Sequence, residues 1–155
     1  MKFSTREDIE APIEYVFERV TDFTNFERQA MRRGGEVTRL DKNGDFVVGS
    51  SWDVNFMFRN KGRNLKAEIA KLETPTALHI GTSAKSLDGV TIAELVALSR
   101  TKTRLTVTLE LSPKNLSARL FLQSLKLAKS NLSRKFKQRV SEFTNELEIT
   151  YQKNS

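Results

Sequence analysis

The last third of the chain, from Leu116 to Tyr151, contains no proline and no glycine. Its apolar residues recur every three or four positions and therefore share one stripe of a helix. The stripe consists of Phe121, Leu125, Ala128, Leu132, Phe136, Val140, Phe143 and Leu147. Such a helix would be roughly 50 Å long, and its own propensity cannot keep it folded in water. The rest of the chain must therefore supply a broad apolar surface on which it lies.

Upstream of this stretch the apolar residues alternate with polar ones, which is typical of half-buried β-strands. The predicted strands cover residues 2–10, 36–40, 52–59, 63–72, 77–83, 90–98 and 102–111. The second strand resumes at Phe46 to Val48 after an Asn43-Gly44 turn, and Lys61-Gly62 is the predicted turn after the third. Short polar connections of this kind predict a meandering antiparallel sheet.

Two short helices are predicted between the first and second strands. The first begins after Pro12, at a position where the missing N–H of proline costs nothing. The second covers Phe23 to Arg33, can be capped by Thr21 or Asp22, and ends at Gly34-Gly35.

The resulting element order is β-α-α-β6-α, which predicts an α+β fold. One face of almost every strand is polar, and the other needs cover that only the helices can provide. We expect residues 1–155 to form a single domain, in which a curved antiparallel sheet wraps around the long C-terminal helix above a cavity.

The composition excludes several classes of chemistry. The 155 residues include no cysteine and a single histidine, His79, so disulfides, thiolate nucleophiles and clusters of histidine metal ligands are ruled out. We expect no metal and no cofactor. The charged start of the chain does not resemble a signal peptide, and no apolar run is long enough to cross a membrane. These features predict a soluble cytoplasmic protein.

With these elements in place, the sequence resembles the helix-grip fold of the START-like superfamily, which includes the birch pollen allergen and polyketide cyclase/dehydrase-like proteins. The resemblance is carried by IEAPIEYVFERVTDFTNFER near the start, SWDVNFMFRNKGR in the middle, and the helix after Pro113. It implies a cavity between sheet and last helix that holds a lipid, sterol, hormone or polyketide. The same fold hosts enzymes and chaperone regulators, so the resemblance alone does not determine the chemistry.

Residues on the inward faces of strands and helix are the candidates for a ligand-binding wall. They are Trp52, Val54, Phe56, Ile69, Ile80, Val107, Leu132 and Phe136, with Phe58 as a further aromatic residue on the same strand face. The alternative is that these side chains are ordinary core. Arg139 falls inside the apolar stripe of the helix and could bind a ligand carboxylate or phosphate, pair with Glu7, or extend outward to solvent.

Two carboxylates are candidate acid–base groups. Glu7 lies on the inward face of the first strand, where it would act on a ligand or simply reach solvent at the sheet rim. Glu94 depends on register: it points inward if Leu98 faces Leu105, and outward if the hairpin loop is one residue longer.

The leading functional prediction is a binding or carrier module for a hydrophobic or amphiphilic small molecule. The first alternative is a cyclase or dehydratase that uses Glu7 or Glu94. The second alternative rests on charge, since residues 114–141 carry eight cations and no acid within a net charge of +7. Such a segment is either a solvated helix face or a surface that binds anionic membranes or nucleic acid. Few aromatic residues accompany the cations, which disfavours nucleic acid as the partner. The sequence leaves the oligomeric state open.

Overall fold

The computed structural model describes residues 1–42 and 44–155. Its central element is an antiparallel sheet of seven strands. The strands are β1 (Lys2–Ile9), β2 (Glu36–Arg39), β3 (Ser51–Phe58), β4 (Lys61–Glu73), β5 (Ala77–Ala84), β6 (Leu87–Ala97) and β7 (Thr103–Pro113). Strands β2 to β7 pair in sequence order, and β1 joins the free edge of β7. The predicted meander is confirmed.

Two short helices, α1 (Ile13–Val20) and α2 (Phe23–Arg32), connect β1 to β2 as predicted. The Asp22 side chain caps α2 by accepting a hydrogen bond from the backbone N–H of Asn25 at 3.2 Å. Val16, Phe17 and Val20 of α1 and Phe23, the first residue of α2, are buried.

The C-terminal segment is helical from Leu116 to Asn154, as predicted, but it is not one uniform helix. Helix α3 (Leu116–Leu125) and helix α4 (Lys129–Asn154) are joined by a tighter 3-10 turn at Lys126–Ala128. Ala128, which the stripe placed inward, is exposed. The physical reason lies in the spacing, because no large apolar residue between Leu127 and Leu132 packs this turn against the sheet.

Other expectations about strands and turns were wrong. Residues 46–48 form no strand, because the Phe46 ring packs on Phe23 and Trp52 instead of continuing a ladder. The turn between β3 and β4 is Arg59-Asn60, not Lys61-Gly62. Both turn residues have positive φ (53° and 61°), as in the two-residue hairpin turns that match strand twist. The predicted Asn43-Gly44 turn includes Asn43, which lies outside the described residues.

The core lies between the concave face of the sheet and helices α1, α2 and α4. Its most deeply buried large side chains are Ile9, Val16, Ile69 and Leu105. Leu147 of α4 joins this cluster, so α4 lies across the sheet and also contacts α1. The position of α4 thus leaves a defined space between it, α2 and the sheet.

Candidate functional site

An apolar cavity of about 520 Å³ lies between the sheet, α2 and α4, and it is open to solvent on one side. The sheet contributes Val37, Trp52, Val54, Ala67, Leu78, Ile80, Thr91, Ala93, Leu105 and Val107. The helices contribute Val20, Phe23, Phe26, Glu27, Ala30, Phe136, Arg139, Val140 and Phe143. The alternation of side chains along each strand explains why the sheet can line the cavity, because every second residue of each strand points to the concave face.

Two opposite charges stand among these apolar side chains. Glu27 comes from α2 and is half-buried, and Arg139 comes from α4 and is exposed. Among the described residues neither side chain has an ion-pair partner within 4.0 Å. The guanidinium of Arg139 is therefore available to an anionic group at the edge of an otherwise apolar space.

Trp52 is the largest side chain of the cavity wall and is only 6% exposed. Its ring lies 5.4 Å from the ring of Phe23 and 5.9 Å from that of Phe46, measured between centroids. Its indole N–H is buried and has no hydrogen-bond partner among the described residues, which costs about 1–3 kcal/mol. Trp52 is also the single tryptophan of the chain, so its fluorescence reports on this wall.

A polar network holds the segment between β2 and β3 against Trp52. The Arg39 guanidinium donates two hydrogen bonds of 2.9 Å to the Asp41 carboxylate and lies 4.4 Å from the centroid of the Phe46 ring. Asp41 also accepts from the backbone N–H of Ser51 at 3.1 Å and from the buried hydroxyl of Ser50 at 3.3 Å. This network fixes Phe46 as a cover over one side of Trp52.

The same network sets an acid-dependent contribution to stability. Hydrogen bonds from Arg39 hold the pKa of Asp41 well below its ordinary value of 3.8. Because the folded-state pKa is the lower one, the carboxylate stabilises the fold fully above that ordinary value, and its contribution is lost as the pH falls below it.

We therefore expect Asp41→Asn to lower the melting temperature at neutral pH and to flatten its decline in acid. Thermal unfolding followed by circular dichroism across the acidic range measures both effects. Asp45→Asn is the matched control, since the exposed Asp45 is hydrogen-bonded to Arg39 through its backbone carbonyl and not through its carboxylate. Equal behaviour of the two variants would contradict a stabilising role for the Asp41 carboxylate.

The structure brings most of the predicted wall residues together around this cavity. Trp52, Val54, Ile80, Val107, Phe136 and Arg139 all line it. The other three predicted wall residues do not: Ile69 is fully buried in the core, and Phe56 and Leu132 are half-buried elsewhere. Phe58, at the hairpin end of β3, is 49% exposed.

Neither candidate acid–base residue lines the cavity. Leu95 pairs with Leu105 in the β6–β7 hairpin, so Ala93 and Leu95 point inward and Glu94 is exposed. Glu7 is half-buried on β1 opposite Leu105, and it forms no ion pair with Arg139 within the described part of the chain.

Sequence reasoning missed the wall that α2 provides. The residues that α2 contributes to the cavity follow helical spacing, which the sequence shows: Phe23, Phe26, Glu27 and Ala30. The spacing does not reveal that this face of the helix is shared between the core and the cavity. The described residues contain no group of three metal-ligating side chains, and none of their helices has an apolar stretch long enough to cross a bilayer.

Comparison with known proteins shows that the chain is similar to solved structures in its fold and matches no known family by sequence. No family model and no curated protein sequence matches the chain. Among solved structures, a protein from Thermus thermophilus is similar with a TM-score of 0.66 and 12% identity over 95% of this chain and 97% of that one. The Zhui aromatase/cyclase from a Streptomyces species is similar with a TM-score of 0.66 and 11% identity over 96% and 93% of the two chains. Ara h 8.0201 is similar with a TM-score of 0.57 and 14% identity over 92% and 98%. Identities this low establish shared architecture and no shared activity. The chain therefore shares with these solved structures a helix-grip fold, in which a curved antiparallel sheet wraps around a long C-terminal helix.

Proposed function

We propose that this protein binds a hydrophobic or amphiphilic small molecule, such as a lipid, sterol or polyketide-like compound, in the cavity between the sheet, α2 and α4. The observation that carries the proposal is the cavity itself. Its volume of about 520 Å³ lies within the range of roughly 300–1,000 Å³ that is usual for small-molecule sites, and its lining is almost wholly apolar. The proposed ligand-contacting residues are Trp52, Val54, Ile80, Val107, Phe136 and Arg139.

The chemistry of the lining favours a ligand with a long apolar part and one polar end. Aromatic rings from α2, β3 and α4 (Phe26, Trp52 and Phe143) surround the space, and burying apolar ligand surface against them is favourable at about 25 cal/mol per Å². Arg139 supplies a cationic group from α4, whereas Glu27 supplies an anionic group from α2. A ligand whose carboxylate or phosphate reaches Arg139 would keep its charge hydrated on the open side.

A direct test looks for the ligand that the protein acquires during expression. Native mass spectrometry of freshly purified protein should show a mass above that of the chain, and organic extraction should release a small apolar molecule. Added fatty acids or sterols should then change the fluorescence of Trp52 in a saturable way. An apo mass together with unresponsive fluorescence towards every amphiphile tested would contradict the proposal.

Arg139→Ala is expected to weaken binding of a fatty acid by about tenfold while leaving the corresponding fatty alcohol nearly unaffected, because a charge-assisted hydrogen bond is worth about 1.5–3 kcal/mol. Isothermal titration calorimetry with both ligands measures the difference. Lys135→Ala is the matched control, since Lys135 is an exposed cation of α4 outside the cavity lining. Equal losses for acid and alcohol would remove the anion-binding role of Arg139 without touching the apolar site.

A catalytic role is the rival proposal, and one solved structure with this fold is an aromatase/cyclase. Acid–base chemistry requires a titratable group within hydrogen-bond reach of the bound ligand. Glu7 and Glu94 lie outside the cavity lining, and Glu27 is the carboxylate that borders it in the described part of the chain. We therefore favour binding over catalysis.

A further inference from the structure

Helix α3 carries apolar residues on two opposite faces, and only one face is packed. Ala118 and Leu122 are buried against the rest of the protein. Leu116 and Leu120 lie on the other face, with exposed fractions of 68% and 56%, and Leu127 follows in the 3-10 turn with an exposed fraction of 95%. These three leucines expose most of their apolar surface and form an apolar strip that the described part of the chain leaves largely uncovered.

The β3–β4 hairpin lies beside this helix and extends the same surface. The guanidinium of Arg59, in the hairpin turn, is 5.7 Å from the centroid of the Phe121 ring of α3. The hairpin presents a further exposed apolar side chain in Phe58 (49%). We call the combined area, residues 58–63 and 116–129, the α3–hairpin surface.

Cations surround this apolar strip, and acids are absent from it. Its exposed basic residues are Arg59, Lys61, Arg63, Arg119, Lys126 and Lys129. In the described part of the chain none of these six lies within 4.0 Å of a carboxylate. Lys114, by contrast, is already engaged with Asp88 at 3.2 Å and does not belong to the surface.

We propose that the α3–hairpin surface docks on a membrane that carries anionic lipids. Exposed leucines between unpaired cations match the boundary between acyl chains and anionic headgroups, where apolar side chains insert and lysines and arginines remain at headgroup level. A nucleic acid would satisfy the cations but would offer the leucine strip no apolar partner. A second copy of this chain would place the same cations opposite one another in a symmetric interface. The proposal does not depend on the cavity or on what it holds.

Vesicle co-sedimentation tests the proposal. The full chain should bind vesicles of phosphatidylcholine with phosphatidylserine, should bind vesicles of phosphatidylcholine alone far more weakly, and should lose most of its binding at high ionic strength. Failure to bind the phosphatidylserine vesicles at low ionic strength would overturn the proposal.

Two pairs of substitutions separate insertion from diffuse charge attraction. Leu116→Ser with Leu127→Ser should reduce binding to phosphatidylserine vesicles about tenfold or more, while Val96→Ser with Ile149→Ser, at exposed apolar positions outside the surface, should leave it within about twofold. Arg119→Gln with Lys126→Gln should also reduce binding about tenfold, whereas Arg28→Gln with Arg32→Gln, which removes the same charge from α2, should have little effect.

The control measurements distinguish a membrane from a nucleic acid and from a second copy of this chain as the partner of the surface. If the two charge variants lose binding equally, attraction is spread over the whole protein and the proposed surface is wrong. The protein could instead bind duplex DNA at the salt concentration used for the vesicles. If the leucine variant binds that DNA as tightly as the wild type does, the proposal is overturned in favour of nucleic acid. A wild-type dimer that the leucine variant converts to monomer, measured by light scattering, would assign the strip to self-association. The charge variant alone remains a complete test if the leucine variant unfolds at a lower temperature.

Discussion

Leu147→Ala is expected to lower the free energy of unfolding by about 2–5 kcal/mol, because it opens a space in the part of the core that α4 closes. Leu147 is 4% exposed and belongs to the buried cluster. The turn of helix around it is tied to α1, since the Tyr15 hydroxyl lies 3.5 Å from the Leu147 carbonyl oxygen and the rings of Tyr15 and Tyr151 lie 4.8 Å apart. Urea denaturation followed by circular dichroism measures the change.

Leu127→Ala is the matched control for that experiment. It makes the same substitution in the same helical segment, but at a residue that is 95% exposed, and should change the free energy of unfolding by less than about 0.5 kcal/mol. Similar losses at both positions would mean that α4 does not pack on the sheet and α1 as described.

Ala67→Phe is expected to reduce ligand affinity at least about tenfold, and to abolish binding of the largest ligands, because it places a ring in the cavity from the floor of the sheet. Ala67 lies on β4 opposite Trp52 and is only partly buried, so part of its surface borders open space. Added volume in open space displaces ligand, whereas in a filled core it strains the packing by about 1–3 kcal/mol. Fluorescence titration and thermal unfolding of the same variant distinguish the two cases.

Ala70→Phe provides the comparison, because Ala70 is exposed and belongs to the same strand without lining the cavity. It should leave both affinity and stability nearly unchanged. A large drop in melting temperature for Ala67→Phe, with ligand affinity unaffected, would mean that the described space is not where the ligand lies.

Much of the architecture was predictable because each element carries its own local signal. The alternation around Trp52 and the three-to-four spacing through Phe136 and Leu147 follow from which faces need burial, and the structure has strand and helix there. The Asp22 cap and the position of α2 after it were likewise readable from neighbouring residues.

What could not be predicted depends on contacts between distant residues. The orientation of Glu94 followed from a register in which one residue more or less reverses the face, and only pairing of Leu95 with Leu105 decides it. The role of Phe46 depends on packing against Phe23 and Trp52, which no local pattern encodes. The exposed leucines of α3 could not be recognised for a similar reason. Sequence alone does not distinguish a leucine that faces solvent from one that faces the core.

The pairing of the first strand with the last has a consequence for how this protein is made. Lys2 is opposite Glu110 and Ile9 is opposite Thr103, so β1 leaves the ribosome long before the strand that completes its hydrogen bonds. Until translation reaches that point, Phe3 and Ile9 have neither a neighbouring strand nor α4 to cover them. Contacts separated by so much chain form slowly. The first strand of the nascent polypeptide therefore spends most of synthesis without the strand that pairs with it and without the helix that covers it.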